Sequence, residues 1–194
     1  MLALINCSYS RCERYIVDGK KYIFKNRNDG SFLNIKTYPN PDVLVTKDSG
    51  AYYAEEFKAE KCEAASVYGK KCFQLIVDPC NDNAGASVMT VTTPQCLEAK
   101  VGAYGKPDGV VVKDCEMTCQ NNKKQLWCFE EYEWNKSYQR IRNADFYGKD
   151  YYMEAQKMTY YEDKPRVELE KFIKNCAKQA WCAIEKTCPL VGPA

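Results

Sequence analysis

No histidine occurs among the 194 residues. Its absence excludes Ser-His-Asp and Cys-His catalysis and histidine-ligated zinc or copper. It also removes the commonest general base near neutral pH and the usual pH switch. No Cys-x-x-Cys pair exists either, so a thioredoxin-type redox centre lacks its motif; Cys115, Cys119 and Cys128 could hold zinc as part of a four-cysteine site, but structural disulfides are the expectation. No metal and no cofactor is expected. Long apolar runs are lacking, and nothing approaches the ~20 residues of a membrane span. Charge is not lopsided: 28 basic against 26 acidic residues leave +2, intermixed, with no basic stripe for nucleic acid or an anionic membrane. The glycine-bearing stretches GASVMTVTTPQC and GAYGKPDG lack the lysine and helix start of a phosphate cradle. No internal repeat, low-complexity segment or linker stands out, and the expectation is one domain over residues 1–194.

Twelve cysteines are present instead: Cys7, Cys12, Cys62, Cys72, Cys80, Cys96, Cys115, Cys119, Cys128, Cys176, Cys182 and Cys188. Their even number and even spread point to an oxidising compartment and up to six disulfides, with the pairing left open. Each bridge would add roughly 2–4 kcal/mol, mainly by restricting the unfolded chain. Two tripeptides match the glycosylation acceptor pattern, at Asn6 and at Asn135. The opening MLALI is too short and lacks the basic start of a signal peptide, so the expectation is a mature secreted chain with an added or leftover start.

From about residue 13 to 161 the chain reads as short strands separated by turn signals. Arg14–Val17, Asp18-Gly19 and Lys20–Phe24 form a hairpin pattern, because Asp-Gly supplies the positive φ of a tight turn. From about 164 to 187 apolar residues recur at helical spacing through Leu169, Phe172, Ile173, Cys176, Ala180 and Ile184. Asp163 offers an N-cap and Pro165 an early helical position. The expected fold is therefore α+β: a disulfide-rich antiparallel β-sandwich or barrel with a C-terminal α-helix packed on it.

Two features suggest a site. If Trp127–Trp134 is a strand, Trp127, Phe129, Glu131 and Glu133 share one face, opposite Leu126, Cys128, Glu130, Tyr132 and Trp134. Same-face neighbours lie about 6.5–7 Å apart, within reach of a two-carboxylate glycosidase. Tyrosines supply the second feature. Tyr151, Tyr152, Tyr160 and Tyr161 cluster late in the chain, and tyrosine gives rigid contact area with a polar tip. The leading expectation is a secreted, non-enzymatic binding protein of the effector, toxin or salivary type. It would engage a protein or glycan partner through a tyrosine-rich surface.

The element order, many strands and then a late helix, resembles a lipocalin, although the Gly-x-Trp of the first lipocalin strand is absent. That resemblance implies a carrier of a small apolar ligand inside a barrel. The stretch YGKKCFQLIV, Tyr68 to Val77, resembles the Cys-aromatic-x-Leu strand of small secreted double-psi barrel proteins. Neither likeness assigns a role to a residue.

Overall fold

The computed structural model describes residues 11–35, 43–46, 56–67, 69–78, 93–146, 149–156 and 167–186. Twelve strands occur among them: β1 Lys21–Asn26, β2 Phe32–Ile35, β3 Val43–Thr46, β4 Glu56–Val67, β5 Lys70–Asp78 and β6 Gln95–Val101. Then follow β7 Pro107–Asp114, β8 Leu126–Glu131, β9 Gln139–Asn143, β10 Tyr151–Ala155, β11 Val167–Lys171 and β12 Trp181–Glu185. All pairings are antiparallel. β12 pairs β1, β1 pairs β4, β4 pairs β5, β5 pairs β8, β8 pairs β9, and β9 returns to β12. The result is a closed six-stranded barrel, which removes the exposed edges an open sheet would carry. Three hairpins, β2–β3, β6–β7 and β10–β11, branch from β1, β5 and β9. β3, β7 and β11 contact one another and cap one end of the barrel.

The connectivity repeats three times, as β1–β4, β5–β8 and β9–β12. No repeat is expected from the sequence, but register exposes one. Phe57, Trp127 and Trp181 sit at matching places, opposite Tyr22, Phe73 and Gln139 respectively. They close the tripeptides Glu55-Glu56-Phe57, Gln125-Leu126-Trp127 and Gln179-Ala180-Trp181. The second and third units share their hydrogen bonds. The Trp127 indole donates to the Leu97 carbonyl and Trp181 to that of Met153, both at 3.0 Å. Gln125 Nε2 donates to Glu98 and the Asp114 carbonyl; Gln179 Nε2 donates to Glu154 and the Lys171 carbonyl. Asn143 and Asn26 donate to the carbonyls of Lys124 and Lys178, just before each glutamine. Each buried amide is thus satisfied, and its bonds tie the start of the unit's closing strand to neighbouring backbone.

The barrel interior is filled. Tyr22, Phe24, Phe57, Phe73, Trp127 and Trp181 pack with Leu33, Leu75, Leu97, Ile141, Met153 and Leu169. Large rings thereby make up for the modest count of aliphatic residues. Those side chains occupy the interior in which a lipocalin-like carrier would hold its ligand. A second layer of Cys62, Cys72, Leu126, Cys128 and Ala144 covers the outer face of β5 and β8. Described bridges are Cys12–Cys182, Cys62–Cys119, Cys72–Cys128 and Cys96–Cys115. Cys176, expected in a bridge, is a half-buried free thiol. Cys7, Cys80 and Cys188 lie outside the described residues, as does Asn6, whereas Asn135 is exposed in the β8–β9 turn.

The C-terminal helix is a correction. No α-helix occurs among the described residues, and the α+β expectation gives way to an all-β fold. Residues 167–186 form β11, a turn through Asn175 at φ 66°, a single 3-10 turn at Ala177–Gln179, and β12. The deciding signal is the strict alternation of Val-Glu-Leu-Glu. Val167 and Leu169 enter the core while Glu168 and Glu170 face outward. Asp163 and Pro165 lie outside the described residues. The Asp18-Gly19 turn does form, with Gly19 at φ 75°. Residues 14–17 before it are not a strand, however, and instead run as a strap across the uncapped end of the barrel.

Candidate functional site

The uncapped mouth holds a depression of about 430 Å³, lined by Arg14, Tyr15, Ile16, Lys71, Phe73, Phe129, Glu130, Glu131 and Gln139. Alternation along the strands builds it. Lys71 and Phe73 share one face of β5, and Phe129 and Glu131 share one face of β8. The inner member of each pair joins the core and the outer one reaches the rim. Phe73 and Phe129 meet edge-on with centroids 5.9 Å apart, and Phe24 stacks on Phe129 at 5.9 Å. The strap is fastened at four points: the Cys12–Cys182 bridge, Glu13 N–H to the Ala183 carbonyl, Gln139 Nε2 to the Glu13 carbonyl, and Val17 N–H to the Tyr22 hydroxyl. It carries Tyr15, 64% exposed, to the rim. Arg14 reaches Glu131 at 2.9–3.0 Å.

One polar atom in the mouth stands out. Gln139 is 3% exposed, and its Oε1 has no hydrogen-bond partner among the described residues, although its Nε2 is used by the strap. A buried, unsatisfied acceptor costs about 1–3 kcal/mol. A second recess, of about 350 Å³, lies beside Gln125 and is lined by Gln95, Glu98, Asp114, Glu116 and Asn122. Its polar groups mostly satisfy one another: Asn122 and Gln125 both donate to Glu98, and Gln95 donates to Asp114. No aromatic ring lines it.

The outer face of β9 carries a ladder of guanidinium groups and rings. Arg140, 2% exposed, donates to both Glu133 oxygens, to Gln179 and to the Ile173 carbonyl, with its charge 4.5 Å from the Phe172 ring and 5.1 Å from Tyr132. Arg142 pairs with Glu130 and Asp150, and the Tyr152 hydroxyl donates to Glu130 at 2.9 Å. Burial, reinforced by Glu130, holds the Tyr152 hydroxyl neutral well beyond its usual range. Partial burial would raise the Glu133 carboxyl, but its hydrogen bonds from Arg140 and backbone, with the guanidinium charge, outweigh this and lower it. A carboxyl shifted that way is a poor proton donor for glycoside cleavage, which needs an acid raised toward neutrality. The shift also sets a pH dependence. Glu133's contribution is fully present above the ordinary carboxylate value and is lost as pH falls through the lower folded value. Thermal unfolding from about pH 5 to about pH 3 should show a shallower acid limb in Glu133→Gln than in the unaltered chain.

The residues expected to form a site are therefore dispersed. Phe129 and Glu131 sit together in the mouth. Trp127, expected on an open face, is fully buried because that face lines the closed barrel. Glu133 belongs to the ladder. Tyr152 is buried beside Phe172, and Tyr151 packs half-buried on Phe146. Tyr160 and Tyr161 lie outside the described residues. Tyr15, Lys71, Phe73 and Gln139 were not singled out. The only local trace of them is the same-face pairing of Lys71 with Phe73.

No protein-family model matches the chain, and no curated protein does. Solved structures are similar in fold. A β-trefoil protein designated BEL superposes with a TM-score of 0.61 at 10% identity, covering 91% of this chain and 100% of that one. The fold is a β-trefoil. The designed threefold-symmetric protein ThreeFoil is also similar, with a TM-score of 0.56 at 13% identity over 86% of this chain and 99% of that chain. So is a ricin B-like lectin from Macrolepiota procera in complex with lactose, with a TM-score of 0.55 at 11% identity over 87% and 97%. In the trefoil, the three four-strand units are the leaves, and the repeated tripeptides mark the same step in each. The mouth is the end of the trefoil barrel that the hairpins leave uncovered.

Proposed function

We propose that this trefoil is a secreted, non-enzymatic protein that binds glycans at the barrel mouth. The observation that carries the reading is the lining of that depression. Exposed and half-buried rings, Tyr15 and Phe129, stand beside the hydrogen-bonding groups of Glu131 and Gln139. A saccharide presents the complementary surface, with an apolar C–H face for the ring and hydroxyls for the carboxylate and amide. The trefoil lectin crystallised with lactose supports the class of ligand. The four disulfides among the described residues support an oxidising compartment and a stiff scaffold, which loses less entropy on binding. The sequence leaves a protein partner equally open, but no observation favours it over glycan.

The test is a glycan array on the oxidised protein, followed by calorimetric titration of the best hit. Tyr15→Ala should weaken that hit about tenfold or more, roughly the loss of one ring contact of 1.4 kcal/mol, with Tm unchanged. A blank array, or a hit that Tyr15→Ala leaves intact, rules out this site.

A further inference from the structure

Four charged side chains line the mouth: Arg14, Lys71, Glu130 and Glu131. Three of them are already engaged. Arg14 holds Glu131 at 2.9 Å, and Glu130 takes Arg142 and the Tyr152 hydroxyl on the far side of the strand. Lys71 projects from the start of β5 toward solvent and has no acidic partner among the described residues. The mouth therefore carries one uncompensated positive charge. Across β8 from Lys71, Gln139 on β9 also lines the mouth and has a buried Oε1 with no donor among the described residues. An uncompensated ammonium at the rim, an unsatisfied acceptor in the lining and a ring between them describe a ligand of particular chemistry. It has an anionic substituent, a hydroxyl or amide N–H to donate, and an apolar ring face.

We infer that the mouth is selective for acidic saccharides, meaning carboxylated or sulfated pyranoses, over neutral ones. This rests on the glycan-binding reading and sharpens its ligand class. The anion meets Lys71, a hydroxyl of the ring donates to Gln139 Oε1, and the C–H face lies on Phe129 and Tyr15. Glu131 does not repel the anion, because Arg14 neutralises it in place. A neutral sugar can still donate to Gln139 but leaves Lys71 solvated. The discrimination is therefore electrostatic and should be screened by salt.

The experiment titrates the oxidised protein with 3′-sialyllactose, 3′-sulfolactose and lactose at low and at high ionic strength. At low salt the acidic sugars should bind about tenfold more tightly than lactose, and salt should narrow the gap. Lys71→Gln should abolish the preference by lowering acidic-sugar affinity to that of lactose, and Lys71→Arg should keep it. Preference for only one of the two acidic sugars identifies carboxylate or sulfate as the recognised group and supports the inference. Lactose binding equal to that of both acidic sugars overturns the inference and leaves the glycan-binding reading standing. No binding by any of the three, together with a blank array, overturns both.

Discussion

Trp181→Ala should destabilise the protein by about 3–5 kcal/mol, and Trp127→Ala by about as much. Both rings are fully buried in the barrel core. Each also anchors the closing strand of its unit through an indole hydrogen bond, to Met153 and to Leu97. Truncation opens a ring-sized void and strands a buried carbonyl at the same time. Against a total stability of about 5–15 kcal/mol, the alanine variants approach the limit of foldability. The phenylalanine variants separate the two effects. Trp→Phe keeps most of the packing and loses the donor, so about 1–3 kcal/mol is expected at each site. The first unit already carries Phe57 at this position, so the fold tolerates a ring without an indole donor there. Denaturant unfolding of the four variants gives the comparison. Equal costs at Trp127 and Trp181 are required if the units are physically equivalent. A Trp127→Phe that costs nothing beside a costly Trp181→Phe would show that the matching hydrogen bonds do not carry matching weight.

Legibility in the sequence followed the range of the interactions. Strands with one buried face, such as Lys21–Asn26 and Leu126–Glu131, are visible because alternation is local. The segment after Pro165 misleads because Leu169, Phe172, Ile173 and Cys176 fall at helical spacing by coincidence. Phe172 and Ile173 are exposed, so half of that stripe never reaches a core. The shorter Val-Glu-Leu-Glu alternation is the physically meaningful pattern. The threefold repeat was illegible for a different reason. It survives in a few buried residues, the two Gln-x-Trp tripeptides and Asn26 with Asn143, while the first unit substitutes Glu55-Glu56-Phe57. Equivalence in a trefoil is set by backbone satisfaction and pairing register, which constrain few side chains per unit. The mouth is hardest to read, since it joins residues 14–16, 71–73, 129–131 and 139. Same-face logic finds Phe129 with Glu131, but nothing local places a strap from the chain's start over them.

That strap makes the Cys12–Cys182 bridge the most consequential of the four described. It spans 170 residues, and removing it with Cys12→Ser and Cys182→Ala should cost about 5 kcal/mol if unfolded-chain entropy dominates. Removing Cys96–Cys115, which spans 19 residues, should cost about 3 kcal/mol on the same reasoning. The two double variants, compared by denaturant unfolding under non-reducing conditions, test that order. Function provides a second axis. Cys12 holds the strap whose next residues supply Arg14 and Tyr15 to the mouth, whereas Cys96 and Cys115 lie near the other recess. Loss of Cys12–Cys182 removes the strap's covalent anchor and leaves it held by the Glu13, Gln139 and Tyr22 hydrogen bonds, the Arg14–Glu131 pair and the packing of Ile16. If the mouth binds glycan as proposed, affinity should then fall about tenfold or more, even at temperatures where the barrel remains folded. Loss of Cys96–Cys115 should leave affinity within about twofold while lowering Tm. The stability ranking and the affinity ranking therefore separate a general staple from one that shapes the site. Reversal of the affinity result, with the mouth indifferent to Cys12–Cys182 and sensitive to Cys96–Cys115, would move the binding site from the barrel mouth to the polar recess beside Gln125.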